Sequence, residues 1–491
     1  MSDTSSPTQP EAAITIDERP LNRRPIFWFY GSASMAYGIK NNAFSYVLLY
    51  YATQVLGLAG TTAAFALAIA MLWDAASDLL LGHWSDKTRS RLGRRHPFMY
   101  VALIVLPLSF YALFNPLIEL TDDNRFYYLL VMALLIRTGT TLFEVPSTAL
   151  LPDLEADYDR RSRWLALRHS FGWWGGNGIH TINFFFWVGA YGFAVQTGYS
   201  IYGTVGALVI FVTILMSALG TQKHAAALPQ PNEPFRLDRI GYELRQIFES
   251  LRNPNFAALF FYGLAIGMAT GLGTALYLYN TTFFFGFSGY QIAWTGVFVM
   301  LAPFIASVIV PRVGARFGKK PVAIGAIVCN ISLYPLPYFF VLQGWWPELN
   351  STTSWAAYSF FIVTEVVCAI IGNVMLDSMM ADVVEDSEVN TTRRSEGLFY
   401  AARTFALKAV SAGGIIFAGT IVAFVGLENI KSPDQVTWQI RFDLASLFLP
   451  VYCGLYLTGL AIVGWLYKIK RSDHSANLEK LAARQVPFSD Q

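Results

Sequence analysis

Two carboxylates lie four residues apart in a stretch of otherwise small and apolar residues. Asp74 and Asp78 follow Trp73, and a spacing of four places both on one face of a helix. Two like charges at that spacing repel each other in a low-dielectric environment, unless a cation lies between them or one of them binds a proton. Hard oxygen ligands of this kind suit Na⁺, Li⁺ or H⁺. The alternative for Asp78, which lies nearer the next polar loop, is a solvated carboxylate at the helix end.

Three further charged residues lie in apolar stretches. Arg137 and Glu144 are seven residues apart and share a helix face, and Arg168 lies in the following stretch. An ionisable residue at bilayer depth costs about 2.5–3.5 kcal/mol on insertion scales, so its presence indicates a function by default. The alternatives are a structural ion pair for Arg137 and for Glu144, and an interfacial position for Arg168, from which it would snorkel to the headgroups.

One lysine, Lys408, lies well inside another apolar stretch. It needs an acidic partner there, and Asp74 or Asp78 is the obvious one. A lysine that pairs with the carboxylates and is displaced by a cation would be a coupling device, whereas the alternative is a static bridge. Glu365 and Asp377 are two further acids in an apolar stretch, and the sequence indicates only that they face a cavity or are paired.

The composition places these charges in a membrane. Hydrophobic residues make up 54% of the 491 residues and charged residues only 14%, against roughly 25% in soluble proteins. A helix needs about 20 mostly apolar residues to cross a bilayer. Twelve such spans are predicted, at 25–52, 60–84, 97–117, 126–151, 164–195, 199–220, 255–283, 288–311, 321–343, 354–380, 398–426 and 438–468.

Several classes of protein are excluded. The net charge of +2 implies no nucleic-acid partner. The sequence has no G-x-x-x-x-G-K-[ST] phosphate loop, so ATP does not drive this chain directly. It also shows no nucleophile–base pair and no clustered metal ligands, and an enzyme is not expected.

The loop charges predict the topology. The five loops on one side of the twelve spans carry nineteen lysines and arginines, against two on the other side. The positive-inside rule places the richer side, and both termini, in the cytoplasm. The long polar loop 221–254 divides the chain into an N-terminal six-helix bundle at 25–220 and a C-terminal one at 255–470. The tails 1–24 and 471–491 are expected to be cytoplasmic, the first of them disordered.

The two halves share a weak internal repeat. The basic, glycine-containing segment 82–95 follows the second span, and the segment 313–320 follows the eighth. Twin bundles with a site between them at the bilayer midplane are a transporter architecture. The loop between the second and third spans resembles the signature loop of the major facilitator superfamily, and its presence in both halves favours that fold over an ordinary basic loop.

Over residues 26 to 470 the chain resembles the glycoside–pentoside–hexuronide:cation symporters, the family of melibiose permease. The matching residues are Tyr30 and Gly31, Trp73 to Asp78, Gly82 to Arg94, Glu144 to Pro146 with Leu151 and Pro152, Arg168, Met380 to Asp382 with Glu388, and Thr404 with Lys408. The resemblance implies a cation site at Asp74 and Asp78, which would hold Na⁺ in a sodium-coupled protein. It also places Thr141 and Thr404 near that site and Lys408 in the coupling network.

The resemblance implies a sugar site as well, with departures. Glu144 and Arg168 fall where family members contact the sugar. Thr148 and Asn373 stand where the family has aromatic residues that line the sugar site, and they are predicted to contact the substrate. The acid that binds sugar in the family's first helix is replaced by Gly38. Ser77 replaces the amide commonly found between the two carboxylates, which weakens the case for Na⁺ over H⁺.

We therefore expect an all-α, twelve-helix secondary transporter of the inner or plasma membrane. It would couple the uptake of a glycoside, oligosaccharide or uronide to Na⁺, Li⁺ or H⁺ by alternating access between the two bundles. No cofactor is expected beyond the co-transported cation, and the chain is expected to work as a monomer. The alternatives are a cation-coupled carrier of a lysolipid, steroid-like or other amphipathic solute, and a non-transporting sensor on a transporter fold.

Overall fold

The computed structural model describes residues 21–155, 157–226, 251–391, 396–469 and 473, and leaves the side chains of 158, 159, 388, 390, 391, 396–406 and 409 undescribed. The described chain is α-helical with short 3₁₀ and π segments, and it contains no strand. The predicted all-α architecture is confirmed. The predicted tails lie almost entirely outside these ranges, as does most of the linker.

The described helices fall before and after residues 227–250. The first group is α1 Pro25–Asn42, α2 Leu48–Gln54, α3 Gly60–Lys87, α4 His96–Phe114, α5 Arg125–Ala149, α6 Leu151–Leu154, α7 Tyr158–Phe186, α8 Val188–Tyr191 and α9 Gln196–Ala226. The second group is α10 Pro254–Ala275, α11 Tyr277–Tyr279, α12 Gly289–Val299, α13 Ala302–Phe317, α14 Lys319–Leu333, α15 Leu336–Leu342, α16 Thr352–Thr391, α17 Glu396–Val425 and α18 Trp438–Leu466. We refer to the two groups as the first and second halves.

Nine segments of the described chain are long and apolar enough to cross a bilayer, and they coincide with nine of the twelve predicted spans. The other three predicted spans, 25–52, 164–195 and 398–426, coincide with α1–α2, α7 and α17. The first of these is divided by a π-helical segment at Ala43–Val47. A second π segment, Asn280–Phe284, lies in the first span of the second half. Single π turns of this kind are frequent at functional sites.

Each half is held together by its own helix contacts. In the first half α1 packs on α7 and α9, while α4 packs on α5 and α9. In the second half α10 packs on α17 and α18, and α14 packs on α16. The halves meet where α3 packs on α17 and α7 packs on α12. Small residues allow the first of these approaches, because Gly60 lies directly against the backbone of Gly419.

Hydrogen bonds between described residues join the halves at the end of the molecule where α2 and α11 lie. The Thr53 and Tyr279 hydroxyls are 2.5 Å apart, and the Gln54 amide donates to the carbonyl oxygen of Leu427 at 2.8 Å. The backbone N–H of Gly60, where α3 begins, donates to a Glu428 carboxylate oxygen. The rings of Tyr50 and Tyr279 lie 4.9 Å apart in the same layer. The two halves are therefore closed against each other at this end.

The opposite end carries the repeated basic loops. Arg95 pairs with Asp86 at 3.1 Å and with Asp153, just beyond the end of α5. In the second half Lys319, the first residue of α14, pairs with Asp382 of α16 at 2.5 Å. In both halves a basic residue of the loop between the second and third spans thus binds an acid at the end of the fourth. The two segments of the weak sequence repeat therefore make equivalent ion pairs in the two halves.

The close approach of α3 and α17 predicts a measurable difference between two glycines. A Cβ atom on Gly60 would lie 2.6 Å from the carbonyl oxygen of Gly419, whereas a Cβ on Gly454 would meet nothing within 4 Å. Overpacking a tight contact typically costs about 1–3 kcal/mol. We expect Gly60→Ala to lower the midpoint of thermal unfolding in detergent and Gly454→Ala to leave it unchanged or raise it. Equal midpoints for the two variants would contradict this account of the contact.

Candidate functional site

Asp74 and Asp78 lie on α3 and meet Lys408, which comes from α17 in the other half. The Lys408 ammonium nitrogen is 3.1 Å from Asp74 Oδ2 and donates a hydrogen bond to Asp78 Oδ2. Asp74 is only 2% exposed. Lys408 was expected to pair with one of these acids, and the structure brings it to both. The solvated alternative for Asp78 does not describe this arrangement, because the carboxylate is held by an ion pair between the halves.

Arg137 of α5 supplies a second cation to Asp74. Its Nη1 donates to Asp74 Oδ2 at 3.2 Å, and both side chains are almost fully buried. The guanidinium carbon lies 4.2 Å from the centre of the Phe44 ring. Phe44 belongs to the π segment that follows α1. The structural ion pair considered from the sequence is therefore present, and its partner is one of the two candidate cation ligands.

Thr141 lies beside the two acids, as predicted. Its hydroxyl is one turn after Arg137 on α5 and 3.1 Å from the Ser77 hydroxyl. It also lies 3.5 Å from Asp74 Oδ1. These hydroxyl oxygens and the carboxylates form a compact set of hard oxygen atoms around Asp74. Thr404, the other predicted neighbour of the cation site, lies on α17, but its side chain is outside the described residues.

Glu144 and Arg168 form a second cluster, one turn further along α5. Arg168 Nη2 donates to Glu144 Oε2 at 2.8 Å and to the Ser147 hydroxyl at 2.9 Å. The guanidinium carbon lies 5.1 Å from the centre of the Tyr30 ring. Arg168 is 4% exposed, so the interfacial, snorkelling alternative is wrong. The Glu144 carboxylate and the Ser147 hydroxyl, both on α5, hold this side chain inside the bundle. The Thr148 hydroxyl donates to Glu144 Oε1 at 3.3 Å.

Asn373 is the one predicted substrate contact that has no hydrogen bond to a described residue. It lies exposed on α16, in the second half. The buried acid on the same helix, Glu365, accepts a hydrogen bond from the Asn330 amide, whose oxygen accepts one from the Tyr452 hydroxyl. Glu365 is thus tied into the second half through neutral groups.

Two functional candidates on α1 were missed in the sequence. Tyr37 lies within electrostatic range of Glu144 and of Asp74, one from each cluster. Lys40, three residues later, is 1% exposed, and its ammonium nitrogen lies 4.8 Å from the centre of the Tyr37 ring. The signal for Lys40 was the same as for Lys408, a lysine well inside an apolar span.

The fold and this site define a polytopic secondary transporter. A family model described as "MFS/sugar transport protein" matches residues 29–471, and the chain belongs to that family. It is a transporter and not an enzyme, and it is a multi-pass membrane protein. The resemblance to major facilitator sugar symporters is confirmed.

Relatives and solved structures agree with this assignment. An uncharacterized symporter from Synechocystis is 25% identical, with 93% of this chain and 96% of the relative covered. A putative sulfoquinovose importer from Salmonella typhimurium is 22% identical over 90% and 88% of the two chains. The inward-open xylose transporter of E. coli superposes with a TM-score of 0.61 at 12% identity, covering 94% of this chain and all of the other. This last likeness shows the fold alone.

The Arg168–Glu144 pair predicts a stability pattern. Breaking a buried pair by removing one partner costs about 3–5 kcal/mol, and less where the remaining charge reaches water, as the 26% exposed Glu144 side chain does. We expect Arg168→Met to lower the midpoint of thermal unfolding in detergent, and Arg168→Met/Glu144→Gln to recover part of the loss because no charge stays unpaired.

The matched control is Arg163→Met, which removes an exposed arginine from the same helix. We expect little change from it. A double variant no more stable than Arg168→Met would mean that the pair does not stabilise the bundle.

Proposed function

We propose that this protein is a cation-coupled symporter of a glycoside, oligosaccharide or uronide. The observation that carries the proposal is the ion-paired group in which Asp74 and Asp78 of one half meet Lys408 of the other. A cation that binds the carboxylates competes with Lys408, so its binding favours separation of the halves at this point. By linkage the effect is reciprocal: if cation binding favours separation of the halves, then separation of the halves raises the affinity for the cation by the same factor.

The substrate assignment rests on the neighbouring cluster. Arg168 presents a planar fork that binds hydroxyl pairs or a carboxylate bidentately, and Glu144 accepts from hydroxyl groups. Thr148 and Asn373 are proposed to contact the same solute. Relatives named for sulfoquinovose and lactose support a sugar-type solute. The cation is Na⁺, Li⁺ or H⁺, with Thr141 and Thr404 as further candidate ligands.

The setting of this function is an inner or plasma membrane, with both termini in the cytoplasm, as the loop charges favour. In that orientation the closed end at Thr53 and Tyr279 faces outward, and the paired basic loops face the cytoplasm. The chain is proposed to act as a monomer, because both clusters are built from side chains of a single copy.

Solute uptake into right-side-out vesicles tests the proposal. A panel of glycosides, uronides and lysolipids is presented with a Na⁺ gradient, a Li⁺ gradient or a proton gradient alone. We expect one solute class to accumulate with one cation. Asp74→Asn and Asp78→Asn are each expected to lower that accumulation at least about tenfold, because each removes a ligand and leaves Lys408 or Arg137 short of a counter-ion.

The control is Asp123→Asn, the same change at an exposed acid outside the site. Accumulation of lysolipids alone would show that the solute is a lipid and not a glycoside, oligosaccharide or uronide. Equal, cation-independent entry in the wild type and both site variants would overturn coupling, and no entry of any solute would favour a sensor.

A further inference from the structure

Lys40 lies at the middle of the first span, fifteen residues after Pro25 and fourteen before Gln54. Its side chain is buried, and no described carboxylate or carbonyl accepts a hydrogen bond from its ammonium nitrogen. Its ammonium nitrogen lies over the face of the Tyr37 ring, 4.8 Å from the ring centre. A cation at this depth without a counter-ion is costly and marks a functional residue by default.

The charges that face Lys40 come from three other helices. Asp74 and Asp78 lie on α3, Arg137 on α5 and Lys408 on α17, all within electrostatic range. Two further helices pack on α1. In α7 Arg168 is engaged by Glu144, and His180 lies against the Tyr46 ring. In α9 the charged side chains lie at its far end, at Lys223 and His224.

Protonation of Lys40 would change the net charge of the site. Within the first half, Arg137 neutralises one of the two carboxylates, so Asp74, Asp78 and Arg137 together carry a net charge of −1. Lys408 of the second half supplies the single positive charge that balances them in this arrangement. A protonated Lys40 would be a third cation with no carboxylate left to pair with, and the site would carry an excess of one charge.

We infer that Lys40 is the proton-binding group of this transporter and alternates with Lys408 as the counter-ion of Asp74 and Asp78. The inference rests on the proposed symport, names its cation as H⁺, and assigns the binding of that proton to the Lys40 amine in place of the two carboxylates. When the halves separate at the outer end and Lys408 withdraws, the −1 site binds a proton from external water on the Lys40 amine, which becomes an ammonium. When Lys408 returns, it takes the carboxylates, and the ammonium releases that proton toward the cytoplasm.

The proton balance makes Na⁺ unnecessary. One proton enters on the Lys40 nitrogen and one leaves it in each cycle, and no bond other than N–H is made or broken. Lys408 and Arg137 keep their protons throughout. The protonated Lys40 state is therefore the state in which the outer end opens, and a lower external pH shifts the halves toward it.

Cysteine labelling at the closed outer end tests this without any solute. Thr53→Cys, in a chain with Cys329, Cys368 and Cys453 replaced by serine, is treated with a maleimide at pH 6 to 8. Maleimide reacts with the thiolate, whose fraction falls about tenfold per pH unit below the thiol pKa, so each rate is divided by that of the same cysteine in denatured protein at the same pH. We expect this ratio to rise as pH falls, by at most about tenfold per pH unit for a single proton. Lys40→Met is expected to abolish this dependence. Lys40→Arg, which stays charged, is expected to give a high ratio at every pH.

Lys468→Met, at an exposed lysine beyond α18, serves as the matched control and is expected to keep the parent's pH dependence. A pH dependence that persists in Lys40→Met, or a low ratio in Lys40→Arg, would overturn the inference, as would a parent without pH dependence. If labelling fails in this way while Na⁺ drives solute accumulation, the Lys40 inference alone falls. If labelling behaves as expected and no cation drives accumulation, symport alone falls.

Discussion

Two carboxylates on one helix face at bilayer depth must be given counter-ions, and this requirement determines how the two halves meet. Asp74 and Asp78 receive one cation from their own half, Arg137, and one from the opposite half, Lys408. The second pairing needs α3 and α17 to approach closely, and the glycines at 60 and 419 make that approach possible. Charge balance in the membrane and small-residue packing therefore act on the same pair of helices.

One face of α5 connects the two clusters. Arg137, Thr141 and Glu144 follow each other at spacings of four and three, so they lie along one stripe of the helix. The first two belong to the ion-paired group, and Glu144 belongs to the pair with Arg168. A movement of α5 that changes one cluster would change the other, and the proposed symport would thereby have a short physical route for linkage between cation and solute.

Much of this could be predicted from the sequence, because burial in lipid restricts the possibilities. Apolar runs of sufficient length predicted the spans, and a lysine inside such a run predicted an acidic partner for Lys408. The partner of Arg137 could not be predicted in the same way, since several acids lay on other helices and only their packing selects Asp74. Arg168 shows the same limit: its position in the sequence fitted an interfacial arginine, but Ser147 and Glu144 hold it inside. Lys40 carries the same sequence signal as Lys408, since it too is a lysine inside an apolar run.

The state of the Arg168–Glu144 pair bears on which solute the site accepts. Here each partner neutralises the charge of the other, so a solute that enters between them must replace this interaction or leave a buried charge unpaired, at a cost of several kcal/mol. A sugar or uronide carries adjacent hydroxyl or carboxylate oxygens that accept from the guanidinium, together with hydroxyl protons that Glu144 accepts. An acyl chain or a steroid ring offers neither. We therefore propose that the Arg168–Glu144 pair favours solutes rich in hydroxyl groups, without the aromatic side chains that Thr148 and Asn373 replace.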